Sequence, residues 1–102
     1  MARVTWTGPA QRQVRGIQRF IARDTPATAA AVVRRFRQEA RTLARFPNLG
    51  RVVPEYADPA VHELIVAPWR LLYRYDPEID RVRVIAVIHG SRLLPPLSDL
   101  HP

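Results

Sequence analysis

No cysteine occurs among the 102 residues, so neither a disulfide framework nor a thiolate metal site can form, a composition that suits a reducing compartment. Lysine is missing as well: all 16 basic residues are arginine. The four glycines never cluster, which leaves no Gly-rich phosphate loop, and the chain holds no Ser-His-Asp arrangement and no two-histidine metal spacing. No uninterrupted apolar run approaches the ~20 residues of a membrane span, and "MARVTWTGPA" lacks the apolar stretch of a signal peptide. The expectation is a soluble, cytoplasmic protein without a membrane partner. At 102 residues it forms one domain, able to bury roughly two-thirds of the surface its unfolded chain exposes.

The net charge of +7 is unevenly spread. Residues 1–51 carry eleven arginines against Asp24 and Glu39, whereas residues 52–102 carry five against seven acids. Such asymmetry points to an acidic partner or a polyanion, because the arginine fork suits carboxylate and phosphate. A solvated arginine face written by a GC-rich genome accounts for it equally well.

The stretch from Val61 to Arg92 has the density of branched and aromatic residues that makes a sheet. Pro68 and the polar "DPEID" divide it into three consecutive antiparallel strands, with Pro77 preset for a type I turn. Alternation along Trp69–Tyr75 puts Arg70 and Arg74 on one side and Tyr73 and Tyr75 on the other. The last strand, Arg81–His89, alternates Val82, Val84, Ala86 and Ile88 against Arg83, Ile85, Val87 and His89. Its apolar second half reads as a central strand, in a register that a one-residue slip would invert. His62 and Glu63, adjacent on a strand, point to opposite faces and share no site.

Ahead of the sheet, Val4 and Trp6 alternate with polar neighbours in a short strand. Gly8-Pro9 then opens an amphipathic helix with Ala10, Val14, Ile17, Phe20 and Ile21 inward and Arg12, Arg15, Arg19 and Arg23 outward. Thr25 is placed to cap a second helix that starts at Pro26 and ends at Pro47. Its inner stripe is Ala29, Val32, Val33, Phe36, Ala40 and Leu43, and Arg34, Arg37, Arg41 and Arg45 lie outside.

The expected organisation is α+β: a strand over residues 1–7, a helical hairpin over 8–46, a proline-rich loop over 47–60, an antiparallel sheet over 61–90 and an extended tail over 91–102. Pro95-Pro96 forbids a regular helix in the tail, which is ordered only if its leucines find the core. Both helices should pack on one face of a sheet of three to four strands. The other face is expected to stay partly open, exposing Leu or Val beside Arg70.

This order of elements, with "FPNLGRVVPE", "ELIVAPWRLLYRYD" and "VRVIAVIHGSR" in sequence, resembles the RelE/ParE superfamily of type II toxins, in its ParE-like branch. The resemblance spans Val4 to Arg92. It implies a compact toxin neutralised by a cognate antitoxin whose acidic, apolar C-terminal segment wraps around it. Members divide between inhibitors of DNA gyrase and ribosome-dependent mRNA endonucleases, and no cofactor is implied for either.

A metal-free ribonuclease needs an acid, a base and cations at the scissile phosphate. Arg70 and Arg92 are the candidate cations, lying where RelE-like nucleases keep arginines, and His89 is the candidate proton carrier. A strand-end histidine is more often structural. RelE-like nucleases also bring lysines to the cleft and a tyrosine in a C-terminal helix, and "SRLLPPLSDLHP" supplies neither. The preferred expectation is therefore a non-enzymatic gyrase inhibitor. Its candidate partner-binding residues are Arg70, Arg74, Arg83, His89 and Arg92 with Arg12, Arg19 and Arg37 of the helices.

Overall fold

The computed structural model describes residues 1–100; the end of the expected tail, 101 and 102, lies outside the described residues. The chain runs β1 (Arg3–Trp6), α1 (Gly8–Ala22), α2 (Pro26–Arg45), β2 (Arg51–Val52), β3 (Val61–Val66), β4 (Trp69–Asp76) and β5 (Arg81–His89), followed by a single 3-10 turn at Leu97–Asp99. The five strands lie in the order β1-β5-β4-β3-β2. β3, β4 and β5 form the expected antiparallel meander, while β1 pairs in parallel with β5, Arg3 opposite Arg81 and Trp6 opposite Val84.

Helix boundaries follow from local chemistry. Thr7 caps α1, its hydroxyl accepting from the Ala10 amide at 3.2 Å, with Pro9 in the first turn where no amide donor is needed. Thr25 stands at the matching position of α2 but makes no side-chain cap; only its carbonyl serves the helix, accepting from Ala29 at 3.1 Å. All six residues of the expected α2 stripe are buried. Val14, Ile17 and Ile21 of α1 are half-buried against the same core, whereas Phe20 is 71% exposed.

Both helices cover one face of the sheet, against Leu64, Val66, Leu71, Tyr73, Val82, Val84 and Val87. The Phe36 and Trp69 rings meet edge-to-face there, 5.3 Å apart. The other face is not left open as expected. Leu94, Leu97 and Leu100 of the tail join Val53 and Tyr56 over Val61, Leu72, Ile85, Ala86 and Ile88 in a second core. Leu72, the apolar neighbour of Arg70, is fully buried. The prolines that forbid a helix do not prevent an extended strap, and the Tyr56 hydroxyl donates to the Pro95 carbonyl at 2.6 Å to hold it.

Two departures from simple alternation matter for the site. A bulge in β5 leaves Ile85 without a partner, since Tyr73 faces Val84 and Leu72 faces Ala86. Beyond it the faces exchange: Ala86 and Ile88 join Ile85 in the second core, and Val87 and His89 join Val84 on the helix side. The second departure lies in the proline-rich loop, which contains β2 paired with Glu63 and His62. Gly50 permits that approach, because a Cβ there would lie 2.3 Å from the Glu63 carbonyl oxygen.

Candidate functional site

Glu63 sits on β3 with its side chain fully buried, on the sheet face away from the helices. A carboxylate removed from water survives only when paired and hydrogen-bonded. Two arginines satisfy it. Arg70 donates from Nε at 2.5 Å and from Nη2 at 3.0 Å, and Arg51 of β2 donates from Nε at 2.9 Å. The far edge of the Arg70 guanidinium reaches Glu55, Nη1 at 2.6 Å and Nη2 at 2.8 Å. Arg70 thus commits four of its five N–H bonds to two carboxylates in fork geometry, with its side chain 11% exposed. The hydrogen bonds from Arg70 push the Glu55 carboxyl down to about 2, and the same bonds hold the guanidinium proton more tightly still.

His89 and Arg92 lie elsewhere. They border a cleft of about 780 Å³ between α1 and the end of the sheet, lined by Gln13, Ile17, Phe20, Trp69 and Val87 among others. Gln13 supports its floor, its side-chain oxygen accepting from the Val87 amide at 2.7 Å. His89 packs edge-on to Trp69, with ring centroids 6.4 Å apart. Its Nδ1 accepts from the Ser91 amide at 3.1 Å, so the proton of the neutral ring is carried on Nε2. Arg70 faces Ile88 in the register and Trp69 faces His89, yet the two candidate residues project from opposite sides of the sheet. The structure brings His89 and Arg92 together at one cleft and keeps Arg70 out of it.

The remaining candidates are dispersed. Arg74 and Arg83 stand opposite each other on the face that carries Arg70, Arg74 within 3.6 Å of Asp58. Arg12, Arg19 and Arg37 are exposed on the helices. Sequence reasoning missed Glu55, Arg51 and Phe20, and it dismissed Glu63 because His62 points the other way. That separation is real: His62 stacks on Tyr73, 5.6 Å between centroids, on the helix side. A lone carboxylate within "VHELIV" was the available signal, since such a strand position demands a cation from a neighbouring strand.

A helical hairpin on one face of a five-stranded sheet, with β1 parallel to the last strand, is the architecture of RelE/ParE superfamily toxins. It is shared with the chromosomal ParDE system from P. aeruginosa at a TM-score of 0.72 and 18% identity, over 87% of this chain and 96% of that one. The RelBE2 toxin-antitoxin complex from Mycobacterium tuberculosis aligns at a TM-score of 0.62 and 27% identity, over 86% and 96% of the two chains. The protein belongs to the family of ParE toxins of the type II toxin-antitoxin system parDE, whose model matches residues 4–94. Toxin RelE2 of Caulobacter vibrioides is 30% identical over 93 residues, 91% of this chain and 100% of that protein.

Proposed function

We propose that this toxin arrests growth by binding DNA gyrase without a catalytic step and that a cognate antitoxin neutralises it. The observation that carries the reading is the capture of Arg70 by Glu63 and Glu55. A guanidinium with four of its five N–H bonds given to carboxylate oxygens has no fork to offer a scissile phosphate. His89 and Arg92 remain without a second cation between them in the cleft, an incomplete set for metal-free RNA cleavage.

The cleft along α1 suits the antitoxin. Phe20, Ile17 and Trp69 supply apolar anchor sites, and the outward arginines of α1, Arg12 and Arg19, supply the field that draws in an acidic segment. The RelBE2 structure is itself a toxin-antitoxin complex, which supports such a partner. A segment of this kind is disordered alone and folds on the toxin.

Two assays run side by side test the mechanism: gyrase supercoiling with detection of cleavage complexes, and mRNA cleavage on programmed ribosomes. The expected result is inhibited supercoiling and intact mRNA. Cuts in codon register that vanish with His89→Gln, together with unaffected supercoiling, would assign the toxin to the ribosome-dependent endonucleases instead.

A further inference from the structure

The sheet carries a second charged feature, at the end opposite the cleft. Arg3 faces Arg81 across the β1–β5 pair, and Arg83 faces Arg74 across the β5–β4 pair. Residues directly opposite in adjacent strands project to the same face, as do residues two apart along a strand. The four arginines therefore form one block on the face away from the helices. The second apolar core borders it, Val61 directly opposite Arg74 and Leu72 and Ile85 one same-face position along their strands.

Like charges placed directly opposite one another destabilise a sheet. Compensation here is sparse. Asp58 lies 3.6 Å from Arg74, while Arg3, Arg81 and Arg83 have no ion pair among the described residues, and Asp76, opposite Arg81, forms none with it. Arg83 Nε has no hydrogen-bond partner among the described residues, so this guanidinium is not consumed within the chain.

The surroundings select the anion. A protein partner draws most of its affinity from apolar anchors that it can bury. The apolar neighbours of the block, Val61 opposite Arg74 with Leu72 and Ile85, are already buried in the second core, which leaves Thr5 and Asp76 as its other neighbours in the register. A single nucleic-acid strand is held by stacking its bases on aromatics, but Tyr73 and Tyr75 pack on the helix side. What remains is charge alone on a flat surface, which matches the phosphates of a duplex and reads no bases. Successive block positions along β5 lie about 6.7 Å apart, comparable with the step between neighbouring phosphates of one strand.

We propose that Arg3, Arg74, Arg81 and Arg83 form a sequence-independent binding site for the phosphate backbone of double-stranded DNA, a site that does not depend on which enzyme the toxin inhibits. The test is fluorescence anisotropy of the purified full-length toxin with a labelled duplex of arbitrary sequence. About four phosphate contacts make the affinity fall about 100-fold between about 50 and 200 mM salt. Arg81→Gln combined with Arg83→Gln removes half of the block, and the fall over the same range shrinks to about tenfold. Arg81→Lys with Arg83→Lys keeps the charge and the steep dependence, which separates loss of the site from loss of the fold. Arg34→Gln with Arg41→Gln, on the outer face of α2, leaves the salt dependence unchanged. The proposal is overturned by absence of duplex binding at the lowest salt, by a salt dependence indifferent to the β5 pair, by an equal loss from the α2 pair, or by tighter binding of polyglutamate than of the duplex.

Discussion

Arg70 and Glu63, seven residues apart in the chain, meet through two hydrogen bonds across the β3–β4 pair, and that contact ties the proline-rich loop to the sheet through Glu55 and Arg51. Arg70→Ala leaves a fully buried carboxylate with Arg51 alone, and the expected loss is about 3 kcal/mol of unfolding free energy. Replacing Arg70 by Met and Glu63 by Leu together removes the uncompensated charge, and most of the stability returns. Urea denaturation of the single and double variants checks both statements.

The same network sets an acid limit. The Glu55 carboxyl is held down to about 2, against an ordinary value of 4.5. A depressed carboxyl contributes stability that is complete above its unfolded-state value and is lost as pH falls toward its folded-state value. Melting temperature should therefore decline from about pH 5 to pH 2. Glu55→Gln should flatten part of that decline, and an unchanged profile would remove Glu55 from the explanation.

Gly50 and Tyr73 give a third expectation. The Gly50 amide donates to the Tyr73 hydroxyl at 2.9 Å, and a Cβ at Gly50 would come within 2.9 Å of that oxygen and closer still to the β3 backbone. Tyr73→Phe should cost about 1 kcal/mol through the lost bond. Gly50→Ala should cost about 2 kcal/mol or more, because rigid backbone has to move. A thermal melt in which Gly50→Ala equals the parent chain would show that β2 is not held where it lies.

Phe20 separates binding from stability. Its side chain is largely out of the core, so Phe20→Ser should change unfolding free energy by less than about 0.5 kcal/mol. As an anchor for the antitoxin it should cost about 2 kcal/mol of affinity, read as faster dissociation in surface binding kinetics. A variant that binds antitoxin as tightly as the parent would clear the α1 cleft of that role.

His89 and Arg92 divide in the same manner. Under the proposed gyrase mechanism, Arg92→Ala should weaken inhibition in proportion to lost binding, with no change in its maximal extent. His89→Gln should leave the inhibition curve where it is, since that mechanism asks no proton transfer of the ring. Titration of supercoiling activity against each variant distinguishes them.

The helices were legible because their apolar spacing is uninterrupted and proline marks both starts. The α2 stripe from Ala29 to Leu43 was readable residue by residue. The central position of β5 was legible too, from its apolar second half. The Ile85 bulge was not: nothing in "RVRVIAVIHG" distinguishes a regular strand from one that slips a residue, and the slip reverses the faces of Ala86 through His89. β2 is two residues long, below any periodicity. The tail was read as having no regular helix, but the cover it provides depends on leucines meeting residues many positions upstream, which spacing does not encode. In the candidate site, Arg70 was visible as a cation in an apolar strand, while its capture was hidden because Glu55 and Glu63 come from two other segments.

The pairing of β1 with β5 has a consequence for the order of events at synthesis. Sheet order gives the first strand no other neighbour, and Trp6 meets Val84 across nearly the whole length of the chain. Contacts of such long separation close late and slowly. A nascent chain that has made its helices and its first meander strands still lacks the strand that completes the sheet. The toxin consequently cannot reach its finished shape while the last strand is within the ribosome, and any partner that recognises that shape must meet it after translation has passed β5.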